Sequence, residues 1–154
     1  MVFIVFRGVN EVTLDSKGRL SLPARFRSAV SSENGGMMVV TIDIEERCLL
    51  LYCLKDWDEV AQKIADLPNV NNAARKIQRL LIGHAADCEV DAQGRILLPS
   101  PLRDYAKLEK DVVLVGQGKK FEIWDAASWQ LKREEWLRFD ENEQLPVELK
   151  LLSL

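Results

Sequence analysis

The sequence predicts an α+β fold made from one half-domain written twice, and three observations predict it. The motif Asp15-Ser16-Lys17-Gly18-Arg19-Leu20-Ser21-Leu22-Pro23 returns 76 residues later as Asp91-Ala92-Gln93-Gly94-Arg95-Ile96-Leu97-Leu98-Pro99. In that register Asp15, Gly18, Arg19 and Pro23 fall on Asp91, Gly94, Arg95 and Pro99, and Arg27 falls on Arg103. With a small change of offset, Cys48-Leu49-Leu50-Leu51-Tyr52 followed by Trp57 is matched by Lys120-Phe121-Glu122-Ile123-Trp124 followed by Trp129. Two copies of so long a period exclude a solenoid, which needs at least three stacked units, and indicate one domain with pseudo-two-fold symmetry.

A chain of 154 residues, 47% hydrophobic and 29% charged, is globular in composition and large enough for two small halves sharing one core. The apolar start, Met1 to Phe6, lacks a basic flank and is cut by Arg7, so it is too short for a secretory segment or a membrane span, and a cytosolic protein is expected. Val9 to Leu14 alternates apolar and polar residues as a half-buried strand does, and Asp15 to Gly18 breaks it with turn residues. A hairpin is expected there, with Leu20-Ser21-Leu22, and in the second copy Ile96-Leu97-Leu98, as returning strands. Gly18 and Gly94 supply the positive φ of a tight turn, and Asp15 and Asp91 can accept hydrogen bonds from its amides. Pro23 and Pro99 suit a first helical position, which predicts short helices to about Val30 and about Lys107.

After Gly35-Gly36, strands are expected at Met37 to Ile44 and Leu49 to Tyr52. Val112 to Val115 and Phe121 to Trp124 repeat that pair, with Gly116 and Gly118 in the turn. Between the halves, Trp57, Val60, Ala61 and Ile64 recur at helical spacing within Asp56 to Ala65, and Pro68 ends that helix. From Asn72 a second helix places Ile77, Leu80, Leu81 and His84 on one face and Arg75, Lys76 and Arg79 on others. A third, about Ala126 to Phe139, carries Trp129, Trp136 and Leu137. The tail, interrupted by Pro146, is expected to be partly ordered at most. The expected organisation is a first repeat over 1–54, central helices over 55–86, a second repeat over 87–125, and a C-terminal helix with acidic tail over 126–154.

Cys48, Cys53 and Cys88 are odd in number and lack C-x-x-C spacing, so buried thiols are expected rather than a disulfide framework or zinc site. The lone His84 reads as packing or as a cation at a helix C-terminus. The net charge of −3 alone argues against nucleic-acid binding. Locally the balance reverses: Arg7 to Arg27 holds five basic and two acidic residues, whereas Lys132 to Leu154 holds four basic and six acidic. No catalytic set, phosphate loop or metal cluster is apparent, and no cofactor or small-molecule substrate is expected. Two duplicated aspartates invite comparison with an aspartic-protease dyad, but Asp15 is followed by Ser16-Lys17 instead of Ser/Thr-Gly, and a neighbouring lysine lowers a carboxylate pKa.

The motif D-x-x-G-R-[LI]-x-[LI]-P, twice around a helical insert, resembles the MraZ family of bacterial transcriptional regulators, as do Gly83-His84-Ala85 and Leu49-Leu50-Leu51-Tyr52. The likeness runs from about Phe6 to the C-terminus. It implies that each half is a SpoVT/AbrB-like swapped-hairpin β-barrel unit, both built into one chain. It also implies sequence-specific binding to short tandem repeats in double-stranded DNA upstream of the division and cell-wall gene cluster. The acting form would be a ring-shaped, octamer-like homo-oligomer, a nucleoid-associated autoregulatory repressor in the cytoplasm. In the family Phe6-Arg7-Gly8 stands beside the initiator methionine, so Met1 to Val5 read as an extension, with Val5 a natural start if its codon is GTG. Gln93 and Ala92 replace Lys17 and Ser16, leaving the second turn less basic.

Arginine suits DNA reading because its fork can bind guanine O6 and N7 together, and a two-stranded ribbon fits the major groove. Arg19 is the expected base contact and Arg95 its repeat, with Arg7 and Lys17 on phosphates. The competing role for each motif arginine is an ion pair with its own aspartate, Asp15 or Asp91. An antitoxin-like interaction module that binds a protein through Asp140-Glu141-Asn142-Glu143 is the alternative reading of the whole chain.

Overall fold

The computed structural model describes residues 6–138 and 146–152. The expected extension Met1 to Val5 and the acidic run Asp140 to Glu143 lie outside the described residues. The first half comprises β1 (Phe6–Thr13), β2 (Arg19–Ser21), α1 (Ala24–Asn34), β3 (Met37–Ile42) and β4 (Leu49–Cys53). Then come α2 (Leu54–Ala65) and α3 (Asn72–Ile77), the latter continuing into a π-helical turn at Gln78–Ile82. The second half repeats the order as β5 (Ala86–Glu89), β6 (Arg95–Leu97), α4 (Ser100–Tyr105), β7 (Asp111–Gly118) and β8 (Lys120–Asp125), followed by α5 (Ala126–Leu137) and α6 (Val147–Lys150).

The strands interleave. An antiparallel six-stranded sheet runs β1-β7-β8-β4-β3-β5, and a separate two-stranded ribbon pairs β2 with β6. Each half thus sends its first strand to the other: β1 lies on β7, and β5 lies on β3. The equivalent strands β4 and β8 pair across the pseudo-dyad, as do β2 and β6. This is the α+β architecture of duplicated, strand-exchanging SpoVT/AbrB-like halves.

The local hairpin is accordingly corrected. The turn forms, with Asp15 N–H donating to Arg19 O at 3.0 Å and a single bridge between Leu14 and Leu20, but the strands then part. β1 has eight residues to pair and β2 only three, so β1 completes its ladder on β7 from Phe6↔Gly118 to Thr13↔Asp111. β2 reaches β6 instead, where Leu20 opposes Ile96. Both of these side chains are fully buried.

Pro23 and Pro99 are caps, not first helical residues. Their ψ angles of 139° and 142° are extended, and each helix begins one residue later. α1 outruns the expected Val30 to Asn34 because Gly35, at φ 60°, provides a left-handed cap whose N–H donates to Ser31 O. α4 stops at Tyr105, before a left-handed Lys107. β3 ends at Ile42, short of Ile44, and β4, β7 and β8 each extend beyond the expected runs. Gly116 is not in the turn: it pairs with Gly8 and Phe121 inside the sheet, where a side chain would strike the backbone of Phe6 and Arg7, and only Gly118 turns the chain. The second central helix widens into the π turn before Gly83, and α5 ends at Leu137.

The shared core joins Leu20, Leu22, Ile96 and Leu98, all fully buried, to Phe6, Phe26 and Phe121. Those three rings contact one another at centroid distances of 4.2 to 5.6 Å and tie β1, α1 and β8 together. Elsewhere α2 sets Trp57 against Val39, Leu50 and Tyr52, and Trp129 of α5 packs against Trp124. These outer layers explain why β4 is buried at every position and reads as a continuous apolar run. All three cysteines are free and buried, and burial, helped by Asp87, pushes the Cys88 thiol up to about 12. Among the described residues no helix is long and apolar enough to cross a membrane.

Candidate nucleic-acid interface

The two motif turns are built alike. Asp15 accepts the Lys17 and Arg19 amides on Oδ1, both at 2.9 Å, and Arg19 Nε on Oδ2 at 2.8 Å. Asp91 accepts the Gln93 and Arg95 amides at 2.9 Å and Arg95 Nε at 3.0 Å. Gly18 and Gly94, at φ +86° and +77°, take the left-handed position, and each N–H returns to its own aspartate carbonyl at 3.0 Å. Bonds from the Arg19 backbone first, then its side chain and the Lys17 amide, hold the Asp15 carboxyl down from the ordinary 3.8 to about 2. The Asp91 carboxyl is lowered in the same way, led by the Arg95 backbone N–H. Both turns therefore carry a carboxylate at neutral pH.

The β2–β6 ribbon joins these turns. Leu20 and Ile96 point into the core, so Arg19 with its partner Leu97, and Ser21 with its partner Arg95, occupy the opposite face. Arg19 and Arg95 keep 31% and 28% of their side chains exposed, and Leu97 is 57% exposed. The exposed Lys17 stands at the first turn, where the second has Gln93. The halves also touch electrostatically, since Arg95 Nη1 lies 3.9 Å from Asp15 Oδ2.

Both arginines thus make the aspartate pair that competes with DNA reading, but the pair holds only the Nε side of each fork. A guanine contact uses the two Nη groups, so an arginine braced at Nε is oriented for it. The forks differ: Arg95 also gives Nη2 to Gln93 Oε1 at 3.3 Å and leans on Asp15 through Nη1. Arg7 is held away from the first turn: it pairs with Gln117 near the start of β1, and the strand from Arg7 to Thr13 spans roughly 20 Å at about 3.3 Å per residue. Arg25, whose role the sequence left unassigned, donates to Arg7 O and Asn10 Oδ1 and covers the Phe26 ring at 4.7 Å.

One group of metal-type ligands occurs among the described residues, Asp43, Cys48 and Glu122, with ligand atoms within 4.8 Å of one another. Its members already bond to the protein: the Cys48 thiol donates to Asp43 at 3.8 Å, and Trp124 Nε1 donates to Glu122 at 2.9 Å. Burial, with Glu122 and Asp43 close by, raises the Cys48 thiol and keeps it protonated.

Interleaved halves, each presenting a braced Gly-Arg turn on a shared ribbon, define a two-repeat SpoVT/AbrB-like protein. A family model described as "MraZ protein, putative antitoxin-like" matches residues 5–80 and again 81–145. A protein of Legionella pneumophila named "Transcriptional regulator MraZ" is 55% identical over 97% of this chain and all of its own length. Proteins of the same name from Coxiella burnetii and Halorhodospira halophila are 51% and 48% identical over the same shares. The chain belongs to the MraZ family, whose members named here are transcriptional regulators.

Proposed function

We propose that this protein is a sequence-specific DNA-binding transcriptional regulator that acts as a homo-oligomeric ring on short tandem repeats upstream of the division and cell-wall gene cluster, including its own gene. The observation that carries this reading is the outward ribbon face, where Arg19 and Arg95 are braced by Asp15 and Asp91 and flanked by Lys17. Braced forks reduce the ordering needed on binding and favour base reading over loose charge attraction. Arg7 and Lys17 serve phosphates, which fix register without reading sequence.

One subunit with so few cations binds weakly. When several subunits meet several boxes at matching spacing, later contacts become intramolecular and avidity rises by about 10²–10⁴. That reconciles a chain of net charge −3 with regulation in the cytoplasm on nucleoid DNA. The test is fluorescence anisotropy on the tandem-repeat duplex from upstream of its operon against a scrambled duplex of equal length. Preference for the upstream duplex of about a hundredfold or more at physiological salt is expected. Equal weak affinity for both would remove the reading and leave the antitoxin-like interaction module.

A further inference from the structure

We propose that Arg27 and Arg103 are positioning residues that each set the DNA-reading turn of the opposite half: Arg103 on α4 governs the first turn, and Arg27 on α1 governs the second. The proposal deepens the function above and rests on it. Three observations close a triangle around each turn, and a fourth joins them at the first. Leu98 N–H donates across the pseudo-dyad to Gly18 O at 2.9 Å, while Leu98 O accepts Arg103 Nε at 3.0 Å. The Arg103 guanidinium then lies against Gly18, with Cζ 2.6 Å from where a β-carbon on that glycine would stand. Arg103 also lines the depression beside Leu14, Asp15 and Ser16.

The mirror triangle is complete. Leu22 N–H donates to Gly94 O at 2.9 Å, Leu22 O accepts Arg27 Nε at 2.8 Å, and the Arg27 side chain occupies the space a β-carbon on Gly94 would need. Neither arginine has a carboxylate within 4.0 Å among the described residues, so an ordinary helix ion pair does not account for the placement. Each glycine precedes a motif arginine, so the rigidity of Arg19 is set from the second half and that of Arg95 from the first. This also gives glycine two reasons at each turn, its positive φ and the guanidinium against its face.

The test compares Arg103→Ala, Arg103→Lys, Arg27→Ala and Arg27→Lys in the full chain by amide hydrogen exchange, DNA binding and thermal melting. Arg103→Ala is expected to speed exchange of the Gly18 and Arg19 amides about tenfold while sparing Gly94 and Arg95, and Arg27→Ala to do the reverse. Binding to the upstream tandem duplex falls about tenfold in Arg103→Ala and less in Arg27→Ala, because the first turn holds Lys17 and the second Gln93. Affinity for scrambled duplex and the salt slope stay unchanged. Lysine, keeping the charge without the fork, rescues neither turn.

Faster exchange in the turn of the same half, or no change in either turn, overturns the proposal. So does loss of binding to both duplexes with a salt slope lowered by about one and rescue by lysine, which marks a direct phosphate contact. If an alanine variant fails to fold, the lysine variants carry the exchange comparison. If wild type itself does not discriminate the duplexes, the functional reading fails while the exchange arm still decides the positioning.

Discussion

On the proposed function, Arg19→Ala is expected to lower affinity for the upstream tandem duplex by about a hundredfold or more, while affinity for scrambled duplex changes little. A bidentate arginine–guanine contact discriminates by about 1–3 kcal/mol, and the loss compounds when several subunits hold one DNA. The turn itself survives, because Asp15 keeps its bonds from the Lys17 and Arg19 amides when the guanidinium is gone. Melting therefore shifts only slightly, which separates a reading defect from a folding defect. Arg19→Lys recovers little, since it restores charge without the fork. Arg95→Ala does less damage than Arg19→Ala because Gln93 and Asp15 already engage the Nη groups of Arg95. Fluorescence anisotropy of the three variants checks the order, and an undiminished Arg19→Ala would assign that residue to turn structure alone.

Ile96→Ala destabilises the whole chain by about 2–5 kcal/mol, the range for deleting a large buried aliphatic chain. Ile96 is fully buried and sits opposite Leu20 at the centre of the β2–β6 ribbon, where the halves meet. The cavity opens between the halves, so both lose packing at once. Urea unfolding followed by tryptophan fluorescence should show a single transition at lower midpoint with an unchanged slope. Separate transitions for the two halves would contradict the interleaved core. Leu20→Ala at the equivalent position should behave alike.

The motif turns were legible because the Asp15–Arg19 and Asp91–Arg95 bonds join an aspartate to an arginine four residues on, around a glycine, all within one short motif. Strand pairing was not. The alternation of Val9 to Leu14 says that one face is buried, not which strand lies alongside, and β7 offers β1 eight partners where β2 offers few. The matching of Arg27 with Arg103 was visible in the repeat register, yet each acts on the opposite half, a relation that exists only after strand exchange. Arg7 sits near the far end of β1 from the first turn, a separation that follows from the length of the strand.

The central claim is that DNA is read by a composite surface made from both turns and the ribbon between them. Amide hydrogen exchange of the wild-type protein, alone and saturated with the upstream tandem duplex, tests it most directly. Protection concentrated in residues 15–21 and 91–97, stronger in the first, is the result the account predicts. Protection centred on the central helices or α5, with the ribbon unchanged, would contradict it.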